Sequence, residues 1–198
     1  MHGLHGDRYD VKGKNNTLYC TFSSRDLVAN VLFMHDTFLM GGMCASCVTK
    51  VVRGSFMKEI FLVANTAADA ILNIRFSAMA PSIAKYSMPQ SRGLLDGELK
   101  VSTMLASKKE FIADNVQIQL ERINHRESHL KVKNDEYKLV AKSKMYPYAD
   151  RNLKRKRLDL TISPMVDEKL IPVAPHGLIG QVSCAAPHTQ SCTHIGIS

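Results

Sequence analysis

Tryptophan is absent from this 198-residue chain, and no apolar run is long enough to cross a bilayer. The longest, Leu27 to Met34, falls far short of the ~20 residues that a membrane-spanning helix needs, and it contains Asn30. No segment keeps a 3.6-residue apolar period over several turns, which excludes a fold built on long amphipathic helices. Met1 is not followed by the basic and apolar regions of a signal peptide.

Motifs that carry chemistry are also lacking. The sequence contains no phosphate-binding glycine loop and no catalytic triad pattern, and no serine lies in a Gly-x-Ser-x-Gly frame. These absences predict a protein that is not an enzyme and that uses no cofactor.

Cysteine is scarce, and its count of five is odd, so internal disulfides alone cannot pair every thiol. Cys44 and Cys47 have the spacing of a zinc knuckle or of a redox pair. No second cysteine pair follows at zinc-site spacing, which leaves metal binding, disulfide formation and inert loop thiols all open. His125 and His129 would share a helix face, but the surrounding pattern is strand, turn, strand, so no metal site is predicted.

What the chain does contain is a series of short apolar segments separated by turn residues. Val116 to Ile123 alternates apolar and polar side chains, and the segment around Leu158, Leu160 and Ile162 does the same. Many such strands at regular spacing predict an all-β fold, mainly an antiparallel sandwich or open barrel, with at most one or two short helices.

Other segments fit this pattern less well. Residues 133–136, Lys-Asn-Asp-Glu, are expected to form a hairpin turn. Residues 107–113 are interpreted as a short helix. Residues 80–95, which contain Pro81, Pro89 and Gly93, are expected to be irregular, with room for one helical turn.

The net charge is +8, from 26 Lys and Arg against 18 Asp and Glu. A basic protein attracts polyanions without further specificity. The densest basic run spans residues 151–157, and its candidate polyanion-binding residues are Arg151, Lys154, Arg155, Lys156 and Arg157. The same run leads into an apolar strand, so it also fits a charged strand entry that discourages edge pairing.

Two glycine-containing motifs bracket the chain. The first spans residues 2–13, with His2, Gly6, the pair Tyr9 and Asp10, and Gly13. It resembles the opening of the von Willebrand factor type D family, although the preceding Gly-Asp-Pro is missing. The second motif resembles the Gly-Leu-x-Gly signature near the end of such domains, in the branch of plant root-cap proteins and inter-alpha-trypsin inhibitor heavy chains; it comprises His176, Gly177, Leu178, Ile179, Gly180 and Gln181.

The resemblance implies one type D-like β-domain over residues 1–181, truncated at its N-terminus, followed by a flexible tail over 182–198. Members of this family act mostly outside cells, in adhesion and in matrix or mucus assembly. The family's dense disulfide framework is absent here. The acidic loop that can bind calcium is also absent, because Val182-Ser183-Cys184-Ala185 has no carboxylate.

The sequence therefore predicts a noncatalytic adhesion or assembly domain, part of a larger secreted or surface protein if a signal peptide precedes Met1. Protein or glycan partners are favoured over nucleic acid, because few aromatic residues are interleaved with the basic ones. The alternative is an intracellular, cytoplasmic polyanion-binding protein that uses the run at 151–157.

Overall fold

The computed structural model describes residues 11–40, 50–78, 83–90, 93–100, 107–145, 156–167, 171 and 175–178. The described residues form eleven β-strands and no helix. The strands are β1 Thr17–Ser23, β2 Leu27–Met40, β3 Lys50–Asn65, β4 Ile71–Ser77, β5 Ile83–Gln90, β6 Gly93–Lys100, β7 Lys108–Ala113, β8 Val116–Asn124, β9 Glu127–Lys133, β10 Tyr137–Met145 and β11 Lys156–Pro164.

The strands form two antiparallel sheets, each a simple meander in chain order. The first sheet has the order β1-β2-β3-β4-β5-β6, and the second has the order β11-β10-β9-β8-β7. The all-β prediction is confirmed, and the two sheets form a β-sandwich. Each strand of the second sheet is joined to the next by a turn or a loop, so its registers are set locally.

Period-2 alternation determines which side chains enter the core. In β8, Val116, Ile118 and Leu120 are buried, while the residues between them are half-buried on the outer face. Rings from the two sheets meet in the core, where Phe22 packs edge-on against Tyr137 with ring centroids 4.9 Å apart. Burying one such side chain contributes roughly 1.5–3 kcal/mol, so this shared core holds the sheets together.

An ion pair within the first sheet lies next to a hydrogen bond that links the two sheets. The ammonium of Lys58 in β3 lies 3.0 Å from the Asp36 carboxylate, and its side chain is 7% exposed. The same ammonium donates a hydrogen bond of 3.0 Å to the backbone carbonyl of Lys156 in β11. A buried charge needs such partners, because desolvation without them is costly.

Three expectations about local structure are corrected. Residues 108–113 are strand β7 rather than a helix, and residues 83–100 form the hairpin β5–β6 rather than an irregular stretch. The stacking of Tyr86 on Phe111, with ring centroids 4.2 Å apart, shows that both segments pack on the core. The third correction concerns β3: the sequence suggests a short strand over Val48 to Val52 and a separate one over Ser55 to Asn65, whereas residues 50–65 form one continuous strand.

The turn expected at 133–136 is confirmed as the hairpin between β9 and β10. The Asn134 side-chain oxygen accepts hydrogen bonds from the backbone nitrogens of Glu136 and Tyr137, at 3.1 and 2.7 Å. This is the local bonding that makes asparagine a frequent turn residue. The turn fixes the register between the strands that carry the site described below.

Parts of both bracketing motifs lie against β1 and β2. The carbonyl of Gly13 accepts a 2.7 Å hydrogen bond from Ser55, and a Cβ at Gly13 would meet the Phe33 ring. His176 pairs with Ser23 through two backbone hydrogen bonds. The other motif residues lie outside the described part of the chain: His2, Gly6, Tyr9, Asp10, Gly180 and Gln181.

Gly177 has a backbone conformation that residues with a side chain rarely adopt. Its φ is +99°, and a Cβ there would lie 2.8 Å from the backbone nitrogen of Phe22. Gly177→Ala is therefore expected to lower the free energy of unfolding by roughly 1–3 kcal/mol. Thermal unfolding followed by circular dichroism measures this as a lower Tm.

The matched control is Gly54→Ala, where the added Cβ would meet only the ring of Phe56. That ring is a side chain that can rotate away, so the loss of stability should be smaller. Equal losses for the two variants would contradict the account of Gly177.

Candidate functional site: a lysine-rich sheet face

The structure describes two residues of the basic run proposed from the sequence, and these two do not share a face of the sheet. Arg151, Lys154 and Arg155 lie outside the described residues. Lys156 and Arg157 are neighbours in β11, and successive residues of a strand face opposite sides of the sheet. Arg157 is on the outer face, whereas burial and the nearby charge of Arg122 lower the pKa of Lys156.

A different set of cations shares the outer face of the second sheet. In β9 and β10 the lysines alternate with the buried residues Leu130, Val132, Leu139 and Ala141. The cations of this face, which we call the lysine face, are Lys108, Lys131, Lys133, Lys138, Lys142, Lys144 and Arg157.

The carboxylates on the lysine face are already engaged. Glu121 lies 2.9 Å from the Lys131 ammonium, and Asp159 lies 3.3 Å from the Arg157 guanidinium. Glu127 lies 2.5 Å from His129 and 3.6 Å from Lys144. The contacts with Lys131, Lys144 and Arg157 neutralise these cations of the face locally.

The pKa shifts agree with this pairing. The hydrogen bond from Lys131 lowers the pKa of Glu121, although partial burial acts in the opposite direction. Partial burial also acts to raise the pKa of Glu127, but the hydrogen bond with His129 and the charge of Lys144 outweigh it and lower that pKa. These carboxylates are therefore ionised at neutral pH and remain paired with their cations.

Three lysines of the lysine face are in no ion pair with a described residue, although Asp159 is directly opposite Lys142 and the charge of Lys133 helps to lower the pKa of Glu110. Lys133, Lys138 and Lys142 make no ion pair with any residue that the structure describes. Lys133 and Lys138 are directly opposite each other in the antiparallel register of β9 and β10. Like charges in that position repel at a Cβ separation of about 5 Å, so a bound anion would relieve the repulsion.

Polar side chains extend this group across the sheet. Gln117 is opposite Lys133, and Ser163 is opposite Lys138. Thr161 is opposite Val140, which lies between Lys138 and Lys142 on the outer face of β10. The result is a band of ammonium, amide and hydroxyl groups on a hydrogen-bonded sheet.

The sequence contains a signal for this face that a search for contiguous charge does not detect. The lysines at 131 and 133 and those at 142 and 144 are each two residues apart. Period-2 spacing in a strand places a side chain on the same face every time. The two described residues of the basic run, Lys156 and Arg157, are consecutive in β11, which is why they face opposite sides of the sheet.

Cys20 in β1 is disulfide-bonded. The other cysteines, Cys44, Cys47, Cys184 and Cys192, lie outside the described residues, so the question of a Cys44–Cys47 metal or redox site stays open. Structural disulfides persist in oxidising compartments and are rare in the cytosol.

The histidine pair is placed as the strand pattern predicts. His125 lies in the turn between β8 and β9, and His129 lies in β9, beside Glu127. Within the described ranges, no three side chains of His, Cys, Asp and Glu lie close enough together to hold a metal ion.

The surroundings of Glu136 work against ionisation of its carboxyl group. Partial burial and the charges of Asp26 and Asp135 raise its pKa, although Arg25 opposes them. Its Oε2 atom has no hydrogen-bond partner among the residues described here. The folded protein therefore binds this proton more tightly than the unfolded chain does.

Glu136→Gln is accordingly expected to stabilise the fold at pH 7, by less than about 1 kcal/mol because the carboxyl is partly exposed. With a folded pKa above the unfolded one, wild-type stability falls as pH rises through the folded pKa. The difference in the free energy of unfolding between the glutamine variant and the wild type should therefore decrease as the pH falls toward about 4.5. Urea unfolding of both proteins at several pH values tests this, and a pH-independent difference would contradict it.

The chain matches no family model, no curated protein and no solved structure. Among the described residues, no helix is both long and apolar enough to cross a membrane.

Proposed function

We propose that this protein is a noncatalytic β-domain that binds polyanions through the lysine face, as an adhesion or assembly module. The observation that carries the proposal is the group Lys133, Lys138 and Lys142, three lysines on the outer face of β9 and β10 that make no ion pair with a described residue. They lie on two neighbouring central strands, so the hydrogen-bonded sheet fixes their spacing. A preformed set of charges loses little entropy on binding.

The setting that fits this function best is extracellular. The disulfide at Cys20 supports an oxidising compartment. The resemblance to von Willebrand type D domains, most of which act in adhesion and assembly, points the same way. The intracellular alternative that relied on residues 151–157 loses support, because Lys156 is half-buried and Arg157 is paired with Asp159.

The direct test is the salt dependence of binding to dextran sulfate, a simple polyanion. If the three lysines displace counterions, the logarithm of the affinity should fall with the logarithm of salt concentration with a slope of about −2 to −3. Fluorescence anisotropy with labelled dextran sulfate between ~50 and ~200 mM NaCl measures the slope. A flat dependence, or no binding at the lowest salt, would contradict the proposal.

A further inference from the structure

The lysine face lacks the groups that nucleic acid recognition uses. Among its described residues there is no phenylalanine or tyrosine, because Phe111 and Tyr137 of this sheet pack on the core instead. Proteins that bind single-stranded nucleic acid stack its bases on exposed aromatic rings. The major groove of duplex DNA admits a helix or a two-stranded ribbon, and the lysine face is part of a five-stranded sheet.

The type of cation points in the same direction. The cations of the lysine face that make no ion pair with a described residue are lysines, whereas the Arg157 guanidinium lies 3.3 Å from the Asp159 carboxylate. Arginine binds phosphate with two parallel hydrogen bonds, and lysine acts as a single point charge. Separated point charges suit an anionic chain whose charged groups are spaced along sugar rings.

The neighbours of the lysines suit a ligand rich in hydroxyl groups. Thr161 and Ser163 make no hydrogen bond through their side chains to any residue in the described part of the chain. Both hydroxyls can donate and accept. Val140, between Lys138 and Lys142, offers a small apolar surface to the C–H face of a sugar ring.

We infer that the ligand of the lysine face is an acidic polysaccharide, with its sulfate or carboxylate groups on Lys133, Lys138 and Lys142 and its hydroxyls near Thr161 and Ser163. This inference rests on the proposed polyanion-binding function and narrows it to one class of ligand. The disulfide at Cys20 supports it independently, since acidic polysaccharides are abundant outside cells, where disulfides persist.

The experiment compares four labelled probes of equal total charge at one salt concentration. The probes are dextran sulfate, polygalacturonate, duplex DNA and single-stranded RNA. The full chain, with its disulfide intact, should bind at least one of the two polysaccharides roughly tenfold or more tightly than either nucleic acid. The two polysaccharide arms separate sulfate from carboxylate as the preferred group.

The failures of the two proposals are distinguishable. If a nucleic acid binds as tightly as the better polysaccharide, the inference about ligand class is overturned and polyanion binding stands. If none of the four probes binds, the proposed function itself fails. A disulfide-intact mass, checked before the titrations, ensures that the native protein is the one tested.

Discussion

Replacing Lys133, Lys138 and Lys142 together with glutamine is expected to weaken dextran sulfate binding about 100-fold. A lysine near a polyanionic surface contributes roughly 1 kcal/mol, so three contribute roughly 3 kcal/mol, and each 1.4 kcal/mol is about tenfold in affinity. The variant should fold normally, because these side chains are on the outer face and make no ion pair to described residues. Fluorescence anisotropy at fixed salt measures the change.

The matched control removes the same amount of charge elsewhere. Lys12, Lys14 and Lys85 are exposed and lie before β1 and in β5, away from the second sheet. Their triple change to glutamine should alter the affinity far less, by no more than a few-fold. If the two triple variants lose equal affinity, net charge rather than the lysine face is responsible, and the proposed site is wrong.

Asp36→Ala is expected to produce the largest loss of stability, about 3–5 kcal/mol in the free energy of unfolding. The reason is that it leaves the Lys58 ammonium, 7% exposed, without its carboxylate partner at 3.0 Å. Lys58 also holds the carbonyl of Lys156, so the contact between β3 and β11 should loosen. Urea unfolding measures the loss.

Two further variants separate the ion pair from general damage. Lys100→Ala removes a cation that is 66% exposed and paired with Glu98, and it should cost less than about 1 kcal/mol. The double variant Asp36→Leu with Lys58→Met removes both charges and should be more stable than Asp36→Ala. A cost for Asp36→Ala no larger than that of Lys100→Ala would show that the pair does not hold the sheets together.

The alternation of side chains allowed most of the fold to be predicted. Strands such as Val116–Asn124 and Tyr137–Met145 bury one face, so their polar and apolar residues alternate visibly. Residues 108–113 and 83–100 were not predicted as strands, because β7 and the β5–β6 hairpin show no clean alternation. Their conformation depends on tertiary contacts such as Tyr86 on Phe111, and packing of this kind overrides local preference.

The sequence predicted a polyanion-binding run at residues 151–157, and the site that we propose belongs to the same chemical class but lies elsewhere, on β9 and β10. A contiguous basic run looks like a patch in the sequence, yet a strand sends Lys156 and Arg157 to opposite faces. Lysines two residues apart share a face, and the turn at Asn134 then sets Lys133 opposite Lys138. Glu121 and Glu127 neutralise Lys131 and Lys144. These contacts depend on side-chain geometry, which no pattern in the sequence predicts.

The central claim is that the outer face of β8–β11 binds polyanions, and NMR titration of the labelled protein with short dextran sulfate tests it most directly. The account predicts that amide shift changes concentrate around Lys133, Lys138 and Lys142, with smaller changes at Thr161 and Ser163. Changes concentrated in the six-stranded sheet, or no changes at all, would contradict it.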